Sequence, residues 1–190
     1  METVLGMCMG LGLAASCGFR VFVPLLVLSL GARTGMVHLS DHVAWLSSTP
    51  VLIGLITACI LEVGAYWVPW IDHALDTVAT PAALAAGTIA AASQLGDFGP
   101  GIAWTASAIA GGGAAAVSQT VNVSARSLST VATAGILNPL ISTFQSAVSA
   151  VLSLLSILVP IVAAVLVVLI AAFIVLRVTR RRAMVRRVAV

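Results

Sequence analysis

Glu62, Asp72 and Asp76 stand within fifteen residues of one another in a chain that is 61% hydrophobic and 8% charged. An acid close to hydrocarbon is costly, and it persists where a partner or a task compensates it. Asp72 and Asp76 are four residues apart, so on a helix they share a face and can hold one cation or one proton between them. Three acids around one point would bind a hard cation through oxygen or hand on protons, since burial and mutual repulsion both reward neutralisation. A helix N-cap is the plain alternative for Asp72, and it leaves Asp76 and Glu62 unaccounted for.

Arg20 interrupts an apolar run, where an arginine at a helix centre costs roughly 2.5 to 3.5 kcal/mol on insertion scales. It therefore needs a partner. Glu62 is the first choice and Asp76 the second, in a pair that either fixes the bundle or opens and closes during transport. Arg126, set among hydroxyls, would hold an anion or another acid, or else sit at an interface. His73 beside Asp72 could extend a metal site, imidazole with carboxylate suiting zinc or iron, but one histidine is too few to specify a transition metal. Asp97 and Asn138 are secondary candidates. Phosphate-binding loops, dinucleotide fingerprints, nucleophile elbows and zinc-protease helices are all missing from the sequence, so no cofactor is indicated, and an intramembrane enzyme using the Asp pair as acid and base is the weakest reading.

The elements that must position these residues follow from hydropathy. A mean hydropathy of +1.16 in 190 residues leaves too little polar surface to cover a soluble core, and the bilayer is the expected solvent. Windows of about 20 apolar residues predict an all-helical, polytopic membrane protein with about five spans. The first window, 3–30, is broken by Ser16 to Arg20 and by Pro24, and reads as one kinked helix or as two half-length pieces. The second runs from Pro50 to about Val68 and ends in Tyr66, Trp67 and Trp70, rings that favour the headgroup level. A short piece carrying Asp72 and Asp76 follows, and Thr80-Pro81 reads as the start of the third span, to about Leu95.

Gly96 to Gly101 predicts a tight turn into a fourth span, 102–121, whose three glycines at 111–113 suit close backbone approach or a local break. Residues 122–139, rich in Ser, Thr, Ala and Gly, predict an irregular or re-entrant segment, with an extramembrane loop as the alternative. The last span, 144–176, would be one long helix that tilts, kinks at Pro160 or projects. Along it Ser142, Ser146, Ser149, Ser153 and Ser156 recur at spacings of four and three, a seam for close helix packing within the subunit or between subunits.

The domain organisation expected is a membrane domain over 1–143 carrying the polar site, a C-terminal transmembrane helix over 144–178 and a basic tail over 179–190. All nine basic residues are arginine, and six crowd the last fourteen positions. Positive residues near span ends favour the cytoplasm, so the C-terminus is placed inside, with the Arg33 loop and the Asp97 turn on the same side. The tail suits anionic lipid, while nucleic acid is not an expected partner for so short a cluster beside membrane-type sequence. The seam makes a homo-oligomer credible. Cys8, Cys17 and Cys59 fit neither a zinc pattern nor a disulfide framework.

Several stretches together resemble a family of small bacterial membrane proteins, the domain of unknown function numbered 4126 (DUF4126). They are Ala-Ala-Ser-Cys-Gly-Phe-Arg-Val-Phe-Val-Pro (14 to 24), Leu-Glu-Val (61 to 63), Val-Pro-Trp-Ile-Asp-His-Ala-Leu-Asp (68 to 76) and Thr-Pro (80 to 81). Gly-Asp (96 to 97), the triple glycine, Arg126, Ser129-Thr130 and Asn138-Pro139 complete the set. The resemblance implies a multi-span inner-membrane protein with these polar positions as its hallmark; it supplies no reaction. A channel or a cation- or proton-coupled transporter built on the acids is the first functional expectation, and a scaffold or lipid-binding membrane protein locked by the same charges is the second.

Overall fold

The structure is a computed structural model. It describes residues 1–65, 69–133 and 136–188, with the side chains of 69–77, 174–175 and 177–188 outside the described set. Among the described residues all regular structure is helical: α1 (Glu2–Cys17), α2 (Phe22–Arg33), a 3₁₀ stretch (Asp41–Ser47), α3 (Thr49–Ala65), α4 (Pro69–Ala92), α5 (Pro100–Ser107), a π-turn (Ala108–Gly112), α6 (Gly113–Thr133), α7 (Asn138–Leu158) and α8 (Pro160–Val188).

The first apolar window is a helical hairpin. Gly12 of α1 and Gly31 of α2 meet Ser156 and Ile157 near the end of α7, while Arg20, between them in sequence, meets Ser142 and Ser146 near its start. The chain thus runs along α7 one way in α1, turns at 18–21 and comes back in α2. A glycine at position 18 is required there, because a Cβ would stand 2.5 Å from Cβ of Ser118 and 2.7 Å from the backbone nitrogen of Gln119.

Two sequence expectations about helix boundaries are corrected by the structure. Thr80-Pro81 does not start a span: α4 passes straight through Pro81, forgoing one backbone rung, and joins the expected short piece to the third span. Residues 122–133 are not irregular but the second half of α6. Their hydroxyls turn inward on the helix itself, Ser124 to the Thr120 carbonyl (2.7 Å), Ser127 to Val123 (2.9 Å), Thr130 to Arg126 (3.0 Å) and Thr133 to Ser129 (2.8 Å). A stretch that looks loop-like by composition is thereby helical without unsatisfied hydroxyls at those positions.

The single long last helix is corrected as well. Pro160 has no N–H and disfavours helical geometry in its predecessor, and Val159 sits at φ −140°, ψ 71°. Beyond the break α8 folds back: Leu152 of α7 and Val167 of α8 line one cavity, although an unbroken helix would hold them about 22 Å apart. Both helices pack along α1, so 144–178 is not a lone appended helix.

Gly111 and Gly87 allow α4 to approach the π-turn closely; a Cβ on Gly111 would lie 2.5 Å from the Gly87 carbonyl oxygen. By length and composition α7 is, among the described residues, the one helix able by itself to cross a membrane. The 3₁₀ stretch and α3 make a second when taken together across a 67° bend.

Candidate functional site

The tip of the α1–α2 hairpin, residues 18–21, is held from three sides. From α3, Glu62 accepts hydrogen bonds from the backbone N–H of Val21 (Oε1, 2.8 Å) and Phe22 (Oε2, 3.1 Å). These are donors left over at the start of α2, and a carboxylate satisfies them while complementing the positive end of the helix. From α6, the Asn122 amide donates weakly to the carbonyls of Gly18 (3.5 Å) and Phe19 (3.4 Å), beyond the other broken end. From α7, Ser149 donates to the Ser16 carbonyl (3.0 Å) and Ser153 to the Ser16 hydroxyl (3.0 Å).

Arg20 is 2% exposed. Its Nε donates to the Ser146 hydroxyl (2.9 Å) and its Nη2 to the Ser142 carbonyl (2.7 Å) and the Ser142 hydroxyl. The hydrogen bonds described for Glu62 go to backbone and those described for Arg20 go to α7. The direct Arg20–Glu62 pair expected from the sequence is not among them; the two charges flank one turn and grip different helices.

Asp72, His73 and Asp76 fall on the first turns of α4, and their side chains lie outside the described residues. The shared acid cluster therefore has one described member, Glu62. Asp97 is elsewhere: its carboxylate accepts from the Thr3 hydroxyl (2.7 Å) and ties the α4–α5 turn to the start of α1, roughly 25 Å along that helix from the tip. Asn138 donates to the Thr130 hydroxyl (3.2 Å), joining the start of α7 to the end of α6. Arg126 is buried on α6 one turn past Asn122. Among the described residues no three His, Cys, Asp or Glu side chains come together as a metal site.

The serine seam packs within the chain. Ser149, Ser153 and Ser156 are fully buried, Ser142 nearly so, and the seam abuts α1, with Gly12 leaving room for the Ser156 side chain. Residues that sequence reasoning passed over join it: Gln119 and Asn122 on α6 and Gln145 on α7 are buried polar side chains around the tip. Their signal was available. Gln119, Asn122, Arg126 and Ser129 are spaced three, four and three apart, one helical face, and the last three fall in the stretch whose composition argued for an irregular or re-entrant segment.

The chain is thus an all-helical protein built around helical hairpins, with a buried polar seam at its centre and two charges set into a hairpin tip. Residues 7–180 match the family described as Domain of unknown function (DUF4126), and the chain belongs to that family. No curated protein and no solved structure matches it.

Proposed function

We propose that this chain is a multi-span membrane protein of a bacterial inner membrane, working as a small channel or a cation- or proton-coupled transporter. Support for the membrane comes from an inverted distribution of polarity. On α7 the buried positions are Ser142, Gln145, Ser149, Ser153 and Ser156, whereas Phe144, Val151 and Leu158 are 69%, 64% and 64% exposed. Water would demand the opposite arrangement, while hydrocarbon rewards it.

The observation that carries the transport reading is the hairpin tip itself. α1 and α2 end inside the fold near the start of α7, and the positive end of α2 faces a buried carboxylate, a helix-terminus arrangement from which ion and solute sites are built. A proton or cation on Glu62 competes with the Val21 and Phe22 N–H groups for the same oxygens, and neutralising the carboxylate loosens its hold on α2. Binding thereby couples to movement of the tip, with Arg20 anchoring the other flank to α7 and Asp72 and Asp76 supplying further acid from α4.

With the arginine-rich tail in the cytoplasm and against anionic lipid, the reversal at Val159 favours the far side for the Arg33 loop and the Asp97 turn, whereas an unbroken last helix favours the tail's side for both.

Proton and cation flux into liposomes tests the proposal. Wild-type protein should carry flux above empty vesicles, and Glu62→Gln and Asp76→Asn should change its pH and cation dependence. Unchanged flux in both variants would remove the acids from the mechanism. A scaffold or lipid-binding role is the second reading, favoured by the fact that the hydrogen bonds described for Glu62 and Arg20 all end on the chain's own backbone and hydroxyls. It predicts no flux above empty vesicles at any pH.

A further inference from the structure

Away from the hairpin tip, a partly open cleft of about 310 Å³ lies where α1, α4, α5 and the π-turn meet. Gly10, Leu11, Ala91, Leu95 and Phe98 make its wall apolar, and Ser107 is the hydroxyl in it. Small residues create the hollow: a Cβ on Gly10 would already press on Ala91 at 3.2 Å, so α1 and α4 touch beside the cleft.

Ser107 is 1% exposed, and its Oγ has no hydrogen-bond partner among the described residues. The contrast with its neighbours is direct. Thr105 on the same helix donates to the Gly101 carbonyl at 2.7 Å, and on α4 and just beyond it Thr88 donates to Leu84 at 2.8 Å and Ser93 to Ala90 at 2.7 Å. Ser107 stands where α5 widens into the π-turn Ala108–Gly112, a local change of register found often at functional sites. A buried hydroxyl without a partner is destabilising, and an apolar hollow cannot repair it with water, which needs several polar neighbours.

We propose that this cleft binds a long, largely apolar molecule carrying one hydroxyl or carbonyl oxygen, whose oxygen pairs with Ser107. The volume holds roughly ten methylene-sized groups, if each occupies about the 30 Å³ share of a water molecule. The tail of an ordinary lipid chain fills the same space and leaves Ser107 unpaired. An alcohol or ketone inserted oxygen-first fills the space and completes the hydrogen bond. The cleft contains none of Glu62, Arg20 and Asn122, so its occupant is separate from any ion at the tip.

Equilibrium binding of radiolabelled decanol and decane to the purified full chain in detergent tests this. Wild type should bind decanol saturably and more tightly than decane. Ser107→Ala should weaken decanol roughly five- to tenfold, the worth of one hydrogen bond, and leave decane unchanged. Ala106→Phe, at the exposed rim, should reduce binding of both. Equal affinity of wild type for decanol and decane identifies a plain lipid chain as the occupant and overturns the proposal. Absence of saturable decanol binding overturns it too, as does a Ser107→Ala variant that binds decanol like wild type. The decanol-to-decane ratio in Ser107→Ala decides the matter even where Ala106→Phe fails to fold, since Ser→Ala removes one atom from a cavity wall.

Discussion

At the scale of single residues, the hairpin tip is held by groups that satisfy backbone. Glu62 takes up two N–H groups that no helix bond can reach, so Glu62→Ala leaves both partly buried and unmet. The expected cost is about 3 kcal/mol, with Glu62→Gln near half of that because its carbonyl still accepts one bond. Unfolding titrations in detergent with the two variants check the order. Arg20→Lys should be nearly as harmful as Arg20→Ala: the guanidinium reaches the Ser142 carbonyl and the Ser146 hydroxyl together, and a single ammonium on a shorter reach does not replace that fork. A lysine variant with wild-type stability would show that charge alone is what the site requires.

Helices and their contacts set the next scale, and here the glycines divide into two kinds. Gly87 and Gly111 lie where α4 meets the π-turn, with a Cβ on Gly87 falling 2.9 Å from the Gly111 carbonyl oxygen. Gly87→Ala and Gly111→Ala should each cost about 1 to 3 kcal/mol through overpacking. Gly54 and Gly64 on α3 have nothing within 4 Å of such a Cβ among the described residues, so alanine there should stabilise by up to about 1 kcal/mol. The same unfolding titrations separate the pairs. Helix content and the break at 18–21 were legible in the sequence because apolar runs and a charged, glycine-bearing interruption are local signals. Continuity through Pro81 and through 122–133 was not, since both depend on what surrounds the helix. The reversal at Val159 was half legible: Pro160 announces a break but not its direction, which α1 decides by packing on both arms. Arg20 and Glu62 were legible as neighbours. The hydrogen-bond partners described for them were not, because backbone N–H groups, serine carbonyls and serine hydroxyls carry no mark in a sequence.

For the whole molecule, the decisive property is which end each connection occupies. Thr3 bonds Asp97, and Ser40 bonds the Ala92 carbonyl through its hydroxyl (2.8 Å) and the Ser93 carbonyl through its N–H (2.8 Å), so the start of α1, the loop after α2 and the α4–α5 turn gather at one end. The α7–α8 break joins them there, since Ser156 meets Gly12 and Ile157 meets Gly31 at that level. The hairpin tip and the start of α7 lie toward the other end, and α8 runs back in that direction. In a bilayer this geometry fixes relative sidedness without reference to charge. In a background lacking Cys8, Cys17 and Cys59, Met36→Cys and Asp97→Cys should react with a membrane-impermeant thiol reagent from the same face of sealed vesicles, and a tag after Val190 should be reached only from the opposite face. Were the last helix unbroken, the three sites would share one face. Labelling therefore distinguishes a reversal at Val159 from a mere kink at Pro160 by a yes-or-no result, and it does so whether the protein moves ions or simply stands in the membrane.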